Sequence, residues 1–327
     1  MSNVEVDPPV RVCDAAADVH SPSDVLVLQP REVPLGGPRA MTVRRTLPHR
    51  DRSFVGAWCF VDHYGPDEVA TSGGMDVPPH PHTGLQTVSW LFTGQIEHRD
   101  TAGNHAVVRP GELNLMTAGH GIAHSEVSLP VTTTLHGVQL WVVLPQQDAD
   151  GAGGFQHFVP APVTVGEATV RVFLGSLAGT DSPVRTATPL LGAEVLLPAN
   201  TTWHVPVRET FEHAVLVDTG AVRFCGRPAD RGALAIREPG AGSLTIEAGP
   251  QEVRLLLLGG EPFPDEVIMW WNFIGRSTEE IRAQRADWMA RSDRFGTVAG
   301  YEPATAGGAT WLPAPELPAL TLRPRRR

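Results

Sequence analysis

The chain has 327 residues, enough for two domains of ordinary size, and 42% of them are hydrophobic against 19% charged, as in ordinary globular proteins. Its formal charge of −10 repels phosphate backbones and anionic lipids, so direct nucleic-acid or membrane binding has no electrostatic basis outside the short tail Arg325–Arg327. All 26 basic residues are arginine, which excludes lysine Schiff bases and lysine-containing phosphate loops.

The cysteines indicate a reducing compartment. Cys13, Cys59 and Cys225 are widely spaced and form no CxxC motif, so no disulfide framework is predicted. The N-terminus lacks a signal-peptide pattern, and no apolar run reaches the ~18 residues of a membrane span. We therefore expect a cytoplasmic protein, and the use of arginine in place of lysine points to a GC-rich bacterial genome.

The predicted elements begin after a loose arm over residues 1–25, which is rich in Asp, Pro and Ser. From Met41 onward, short apolar runs alternate with Gly- and Pro-containing turns, the pattern of antiparallel hairpins. The strands predicted in this half are Leu85–Phe92, Gln95–Asp100, His105–Arg109, Glu112–Thr117, Ala123–Ser128 and Leu135–Leu144. Six or more such strands indicate a β-barrel or sandwich.

A second β region follows a linker rich in Asp, Gly and Ala at residues 146–154. Its predicted strands are Thr169–Leu174, Ala193–Leu197, His213–Asp218, Ala221–Cys225, Leu234–Arg237, Ser243–Ala248 and Glu252–Leu258. The second half therefore mirrors the first.

One helix is predicted near the end of the second β region. Ser277 and Glu280 form a capping box, and an apolar stripe of Ile281, Trp288 and Met289 predicts a helix over residues 278–291 whose stripe packs on a barrel. The chain then becomes rich in Pro, Ala and Gly, which predicts an extended strap or a disordered tail.

The predicted organisation is thus a flexible arm at residues 1–25, a first β domain at 26–146, a second at 147–296, and a tail at 297–327. The fold class is mainly β, with two antiparallel β-barrels and a short C-terminal helix.

Histidine is concentrated in the first domain, where eight of the 13 histidines lie between His63 and His136. In the sequence His80-Pro81-His82 the histidines are two residues apart, so in an extended strand both rings point to the same face. Pro81 favours an extended conformation for itself and for His80, and it confines this point to a strand end or bulge because it lacks an N–H.

His124-Ser125-Glu126 repeats this spacing with one imidazole and one carboxylate. Taken alone, His80-Pro81-His82 is better interpreted as a turn with two surface histidines, and His124-Ser125-Glu126 as a solvated strand end. Together, on two strands of one barrel, they offer three nitrogens and one oxygen, a set that suits mononuclear Fe(II), Mn(II), Ni(II), Cu(II) or Zn(II). A structural zinc site would more naturally recruit cysteine, and none is nearby in sequence.

The remaining candidates have weaker signals. His63, His105, His120 and His136 have no partner spacing, so we expect them to be strand or loop residues. Aromatic residues on barrel strands usually belong to the core, and we expect this of Trp90, Phe92 and Trp141 rather than a role in a pocket wall.

Four blocks of sequence resemble the pirin family of the cupin superfamily. They are PHPHTGLQTVSWLFTG from Pro79 to Gly94, then QIEHRDTAGN, RPGELNLMTAGHGIAHSE and MWWNFIGRSTEEI, in the family's order. The resemblance covers about residues 40–290 and implies a bicupin, with two stacked barrels and one metal ion, usually iron, in the first barrel.

The resemblance implies that His80, His82, His124 and Glu126 are the metal ligands. General cupins carry a glutamate four residues after the second histidine, where this chain has Gln86, so Gln86 is not expected to bind the ion. His98 is interpreted either as a residue that orients a ligand or as a core histidine.

The second barrel is predicted to be vacant. It has no HxH motif and no carboxylate two residues after a histidine, so His157, His204 and His213 are expected to be structural.

Two functions are consistent with this resemblance. The first is a metal-dependent dioxygenase like quercetin 2,3-dioxygenase, which opens a flavonol or related enol with O₂ and releases carbon monoxide, with Glu126 as metal ligand and proton acceptor. The alternative is a non-enzymatic, redox-responsive regulator that acts through a protein partner. A different oxygenase or isomerase on the same metal is a third reading, because the fold does not fix the substrate.

Overall fold

The computed structural model describes residues 25–35, 41–303 and 308–325. The predicted arm over residues 1–25 lies outside the described residues except for Val25, which begins a strand. Within the described residues, neither helix is long and apolar enough to cross a membrane.

Almost all regular structure is β. The strands of the first part of the chain are β1 (Val25–Leu28), β2 (Arg31–Leu35), β3 (Met41–Leu47), β4 (Trp58–Glu68), β5 (Asp76–His82), β6 (Leu85–Thr93), β7 (Ile96–Asp100), β8 (His105–Val108), β9 (Leu113–Thr117), β10 (Ile122–Ser128), β11 (Thr134–Val143) and β12 (Gly154–Phe158). The later strands are β13 (Val163–Val165), β14 (Ala168–Leu174), β15 (Ser176–Leu177), β16 (Thr180–Asp181), β17 (Leu190–Leu197), β18 (Thr202–Pro206), β19 (Glu212–Thr219), β20 (Val222–Phe224), β21 (Arg227–Ala229), β22 (Leu234–Arg237), β23 (Ser243–Ala248), β24 (Val253–Gly260), β25 (Ile268–Trp270) and β26 (Phe273–Gly275). The helices are α1 (Val69–Ser72) and α2 (Thr278–Met289).

Each half of the molecule contains a seven-stranded and a four-stranded antiparallel sheet. The first half has the strand orders β12-β9-β6-β11-β4-β3-β2 and β5-β10-β7-β8. The second half has β1-β22-β19-β24-β17-β14-β13 and β18-β23-β20-β21. The predicted fold class is confirmed as mainly β with two cupin-type domains and a short C-terminal helix, although each domain consists of open sheets rather than one closed barrel.

The halves exchange edge strands. Strand β1 lies at the start of the predicted first domain but pairs with β22 of the second, from Val25 opposite Arg237 to Leu28 opposite Leu234. Strand β12 follows the predicted linker but pairs with β9 of the first half. The boundary between residues 146 and 147 stays a prediction.

An apolar core joins the two halves. Trp90 stacks on Phe173 with ring centroids 4.6 Å apart, and Trp58 Nε1 donates to the carbonyls of Leu191 at 3.2 Å and Gly259 at 3.1 Å. The predicted core position of Trp90 follows from this contact between domains.

Helix α2 begins at the predicted cap. The Glu280 N–H donates to Ser277 Oγ at 3.1 Å, whereas the Glu280 carboxylate accepts from the Arg276 N–H at 2.6 Å, one residue earlier than a capping box requires. Of the predicted stripe, Ile281 and Trp288 are buried, whereas Met289 at the last position of the helix is 38% exposed and does not belong to the packed face.

The described part of the tail packs on the first domain as an extended segment. Trp288 Nε1 donates to the Leu312 carbonyl at 2.8 Å, and the Leu312 N–H donates to the Pro79 carbonyl of β5 at 2.9 Å. Trp288 also contacts Phe295 and Trp311 edge to face. The tail therefore covers the strand that carries His80.

Replacement of Trp288 tests this attachment. We expect Trp288→Ala to reduce the free energy of unfolding by about 3 kcal/mol, as is usual when a buried tryptophan is truncated, and therefore to lower Tm. Trp288→Phe keeps most of the packing and loses only the hydrogen bond to Leu312, so it should cost about 1 kcal/mol. Equal Tm values for wild type and Trp288→Ala by thermal unfolding would contradict this account.

Candidate metal centre

The two predicted motifs lie on adjacent strands. His80 and His82 are on β5 and His124 is on β10, and the antiparallel pairing puts His124 directly opposite His80 and Ile122 opposite His82. All three histidines are fully buried, because β5 is covered on one side by the barrel and on the other by the C-terminal elements.

A bulge in β5 positions His80. The register shifts between His124 and Glu126, because Glu126 pairs with Val77 and β5 holds one more residue in this interval. The interval contains Pro78 and Pro79, which cannot donate to the ladder, and bulges commonly redirect side chains beside functional sites. The Pro78 carbonyl accepts from His80 Nδ1 at 2.9 Å, which leaves the lone pair of His80 on Nε2.

The three imidazoles converge on one point. One nitrogen from each of His80, His82 and His124 lies within 4.8 Å of the others, and His82 Nε2 is 3.1 Å from His124 Nε2. His80 Nε2 is buried without a hydrogen-bond partner among the described residues. Burial holds the pKa of each of these histidines well below 6.5, so the rings are neutral with available lone pairs.

This donor set fits a metal ion. With metal–nitrogen bonds of about 2.0–2.1 Å, neighbouring ligand atoms are separated by about 2.9–3.4 Å, close to the distance between His82 and His124. A buried imidazole nitrogen without a partner costs free energy, and an ion would satisfy it.

Glu126 lies beside this group but not within it. The side chain is 1% exposed, yet its carboxylate is not among the atoms that cluster within 4.8 Å. Its Oε1 accepts a long hydrogen bond of 3.5 Å from Ser89 Oγ, and its charge helps burial to raise the pKa of Tyr64 well above 10. The role of Glu126 as the fourth ligand stays a prediction.

His98 supports His124 from behind. His98 Nδ1 is 3.3 Å from His124 Nδ1, and His98 Nε2 is 3.1 Å from Asp100 Oδ2. If His124 binds an ion through Nε2, its Nδ1–H donates to Nδ1 of His98. The Nε2–H of His98 then donates to Asp100, so each ring nitrogen of this hydrogen-bond series has a partner.

Asp100 is a suitable end point for that chain. Burial alone raises its pKa, but hydrogen bonds from His98 and Asn104 outweigh burial and lower it below 3.8. The N–H groups of Ala102 and Asn104 each donate to Asp100 Oδ1 at 3.0 Å, which fixes the carboxylate in place. Of the two interpretations of His98, the geometry favours the residue that orients a ligand.

Other predicted residues lie around the centre. Gln86 is buried, and its Nε2 donates to Thr117 Oγ1 at 2.9 Å, which links β6 to β9. Trp141 stacks on Phe60 in the core and also contacts His82 edge to face, with ring centroids 5.1 Å apart. It therefore belongs to the core and also borders the group of three histidines. Phe92 is partly buried beneath the Arg254 guanidinium.

The remaining histidines of the first half separate into two classes. His105 and His120 are exposed and face Glu97 and Asp150, as expected of strand and loop residues. His63 and His136 were also expected to be ordinary strand or loop residues. Both instead contact Asp218 of the second half.

His63, His136 and Asp218 form a second cluster. Asp218 Oδ1 is 2.8 Å from His63 Nε2 and 2.6 Å from His136 Nε2, and all three residues are buried. Residues 63, 136 and 218 show no spacing pattern, so sequence reasoning could not have found this group.

Two histidines and one carboxylate could hold a metal ion. Hydrogen bonding between these side chains explains the cluster better. Arg254 donates from Nε to Asp218 Oδ2 at 2.5 Å and faces His136 Nδ1 at 3.4 Å with another N–H. His136 Nδ1 is then an acceptor, so its proton resides on Nε2 and points at Asp218. The cluster is a buried ionic link between the halves.

The second half has apolar residues where the first half has the converging histidines. Strands β18 and β23 occupy the positions of β5 and β10 in the strand order, and their buried side chains are Trp203, Val205, Leu244 and Ile246. His204 alternates with these and is exposed, with Nδ1 3.1 Å from Thr245 Oγ1. Among the described residues, the two groups of side chains that could hold a metal ion include histidines of the first half only.

Comparison with known proteins agrees with the motifs. The pirin family model matches residues 40–142, and the pirin C-terminal cupin domain model matches residues 192–296. A Pseudomonas aeruginosa protein provisionally named quercetin 2,3-dioxygenase is 43% identical over 274 residues, which cover 83% of this chain and 86% of that protein. The chain belongs to the pirin family.

Other pirins and cupins match over similar lengths. A pirin-like protein of Caulobacter vibrioides is 34% identical, with coverage of 81% of this chain and 93% of that one. The crystal structure of quercetin 2,3-dioxygenase from Acinetobacter baumannii has a TM-score of 0.85 and 33% identity, and the match covers 92% of this chain and 97% of that one. An Escherichia coli pirin solved in complex with nickel(II) shares the fold, with a TM-score of 0.58, 17% identity, and coverage of 74% of this chain and 100% of that one.

Removal of the His98 nitrogens tests the support of His124. We expect His98→Phe, which keeps a ring against Phe155, to weaken metal affinity by about 10- to 100-fold because the His124 ring loses its orienting acceptor. The measurement is competition with a chelator of known affinity. His105→Gln on neighbouring β8 is the matched control, and identical affinities for the two variants would contradict the role of His98.

The ionic link between the halves predicts a pH effect on stability. Burial lowers the pKa of His63 to about 4 against the opposing hydrogen bond to Asp218, whereas in the unfolded chain it is near 6.5. The unfolded state therefore takes up a proton between pH 6.5 and 4 that the folded state does not, and stability falls as pH falls through this window.

The variant His63→Gln removes the contribution of His63 to the pH dependence of stability. We expect the difference in Tm between wild type and His63→Gln to decrease steadily between pH 7 and 4.5. Thermal unfolding at several pH values measures it, and a difference that stays constant across the window would show that His63 is not held neutral.

Proposed function

We propose that this pirin is a metal-dependent dioxygenase that cleaves a flavonol or a related enol with O₂. The observation that supports it most is that three neutral imidazoles converge at one buried point, where His80 Nε2 has no hydrogen-bond partner among the described residues. The relatives from Pseudomonas aeruginosa and Acinetobacter baumannii, whose names refer to quercetin 2,3-dioxygenase, support the choice of reaction.

In this proposal His80, His82 and His124 hold one mononuclear ion, and Glu126 supplies the oxygen ligand. Iron(II) is the first choice, and the ligand set also accepts Mn, Ni, Cu or Zn. When bound, the ion supplies Lewis-acid and redox chemistry toward an enol and O₂.

Glu126 is the proposed proton acceptor for the substrate hydroxyl. Its buried carboxylate lies on the same strand as His124, two residues further along, and accepts a hydrogen bond of 3.5 Å from the Ser89 hydroxyl. Ser89 Oγ also lies 2.9 Å from Gln139 Oε1, so its single proton can turn to Gln139 when Glu126 takes up the proton of the substrate.

His98 and Asp100 are proposed as positioning residues. They fix the ring of His124 and, through it, the point on which the other two histidines converge. Trp141 closes the side next to His82 and contributes to exclusion of water from the site.

Glu126→Gln tests the assigned role. We expect the variant to keep its ion and to lose 10²- to 10⁴-fold in kcat for aerobic flavonol cleavage, because an amide cannot accept the proton. The assay follows loss of flavonol absorbance and release of carbon monoxide by protein whose metal content has been measured, with Glu97→Gln on neighbouring β7 as the control.

Two results would contradict the proposal. Glu126→Gln could turn over as fast as wild type, which would remove Glu126 from the mechanism. Alternatively, fully loaded wild type could cleave neither quercetin nor related enols, which would favour the regulator that acts through a protein partner.

A further inference from the structure

A cavity in the second domain lies away from the proposed metal centre. It has a volume of about 270 Å³ and is open at one side. The hairpin of β15 and β16 forms part of its rim, and Leu177, Leu191 and Phe211 provide apolar walls. Drug-sized ligands occupy cavities of ~300–1,000 Å³, so this one suits a smaller molecule.

His213 lines this cavity as a buried polar group without a protein partner. The side chain is 1% exposed, and within the described residues neither ring nitrogen forms a hydrogen bond. The ring lies against the backbone of Gly259, where an added Cβ would come within 3.2 Å of His213 Cδ2, so the ring has little freedom to turn elsewhere. Both the donor and the acceptor of this imidazole are therefore available to a molecule in the cavity.

The neighbouring residue Glu212 shows why His213 faces this way. Strand β19 alternates, and Glu212 points to the opposite side, where it binds Arg52 and the N–H of Gly56 in the contact between the halves. The position of His213 inside the second domain follows from the position of Glu212. A buried imidazole whose two nitrogens are both unpaired destabilises the fold, so its presence there needs an explanation.

Charges around the cavity favour an anion. Arg208 lies at its rim, with the guanidinium 5.3 Å from the centre of the Phe211 ring. Arg237 on β22 lies opposite His213 in the antiparallel pairing of β19 with β22. Burial lowers the pKa of His213 to about 4, and the charge of Arg237 adds to this effect. The exposed carboxylate of Asp181 is the opposing charge on the cavity lining.

We propose that this cavity binds a small carboxylic acid with an apolar body. The carboxylate pairs with Arg208, the body lies against Leu177, Leu191 and Phe211, and a polar atom at the inner end hydrogen-bonds to His213. The site is independent of the metal centre and of the reaction proposed there.

Benzoate is a suitable probe, with benzamide as its neutral isostere. Isothermal titration of the full chain should give one saturable site for benzoate, with at least tenfold weaker binding of benzamide. Benzoate should bind metal-loaded and metal-stripped protein equally, which separates this site from coordination to the ion. Failure of benzoate to bind in the millimolar range, equal binding of the two probes, or binding that requires the metal would overturn the proposal.

Two variants assign the site. Arg208→Gln should weaken benzoate binding at least tenfold, whereas the control Arg223→Gln, an exposed arginine elsewhere in the same domain, should not. His213→Phe should abolish binding and should also leave Tm unchanged or raise it, because an apolar ring replaces an unpaired polar one. A large decrease in Tm for His213→Phe would instead assign His213 a structural role, and retained binding in either cavity variant would place benzoate elsewhere.

Discussion

Three uncharged imidazoles held at one buried point are the constraint on which the rest of this pirin depends. Placing three polar rings inside a barrel is unfavourable unless each nitrogen has a partner, and His80 Nε2 has none among the described residues. The surrounding structure maintains this arrangement through the proline bulge in β5, the chain from His124 through His98 to Asp100, and the C-terminal segment that covers β5. An ion at the point of convergence would offset the cost.

The two domains have the same strand order but differ in the side chains that their small sheets bury. The second domain repeats the strand order of the first but places Trp203, Val205, Leu244 and Ile246 at the buried positions of its small sheet. One of its buried polar side chains, His213, lies at another place and next to a cavity. The halves are held together by stacked aromatic rings and by the ionic cluster around Asp218, so each interior can differ while the contact between them remains.

Much of the fold was predictable because alternation and turn residues are local signals. The strands from Leu85 to Val143 and the start of α2 agree with prediction to within a residue or two. The short spacings in His80-Pro81-His82 and His124-Ser125-Glu126 likewise identified three side chains that converge. Contacts distant in sequence carried no such signal, which is why the pairing of β1 with β22 and the cluster of His63, His136 and Asp218 were not predicted. Pro81 suggested a strand end or a bulge at this point but did not specify the position of the bulge, which contains Pro78 and Pro79.

X-ray absorption spectroscopy of the chain purified without added metal tests the central claim most directly. The account predicts one ion per chain with three imidazole nitrogens in its coordination sphere, and loss of one imidazole contribution in His80→Ala. A protein without bound metal, or an ion whose coordination is unchanged by His80→Ala, would contradict it.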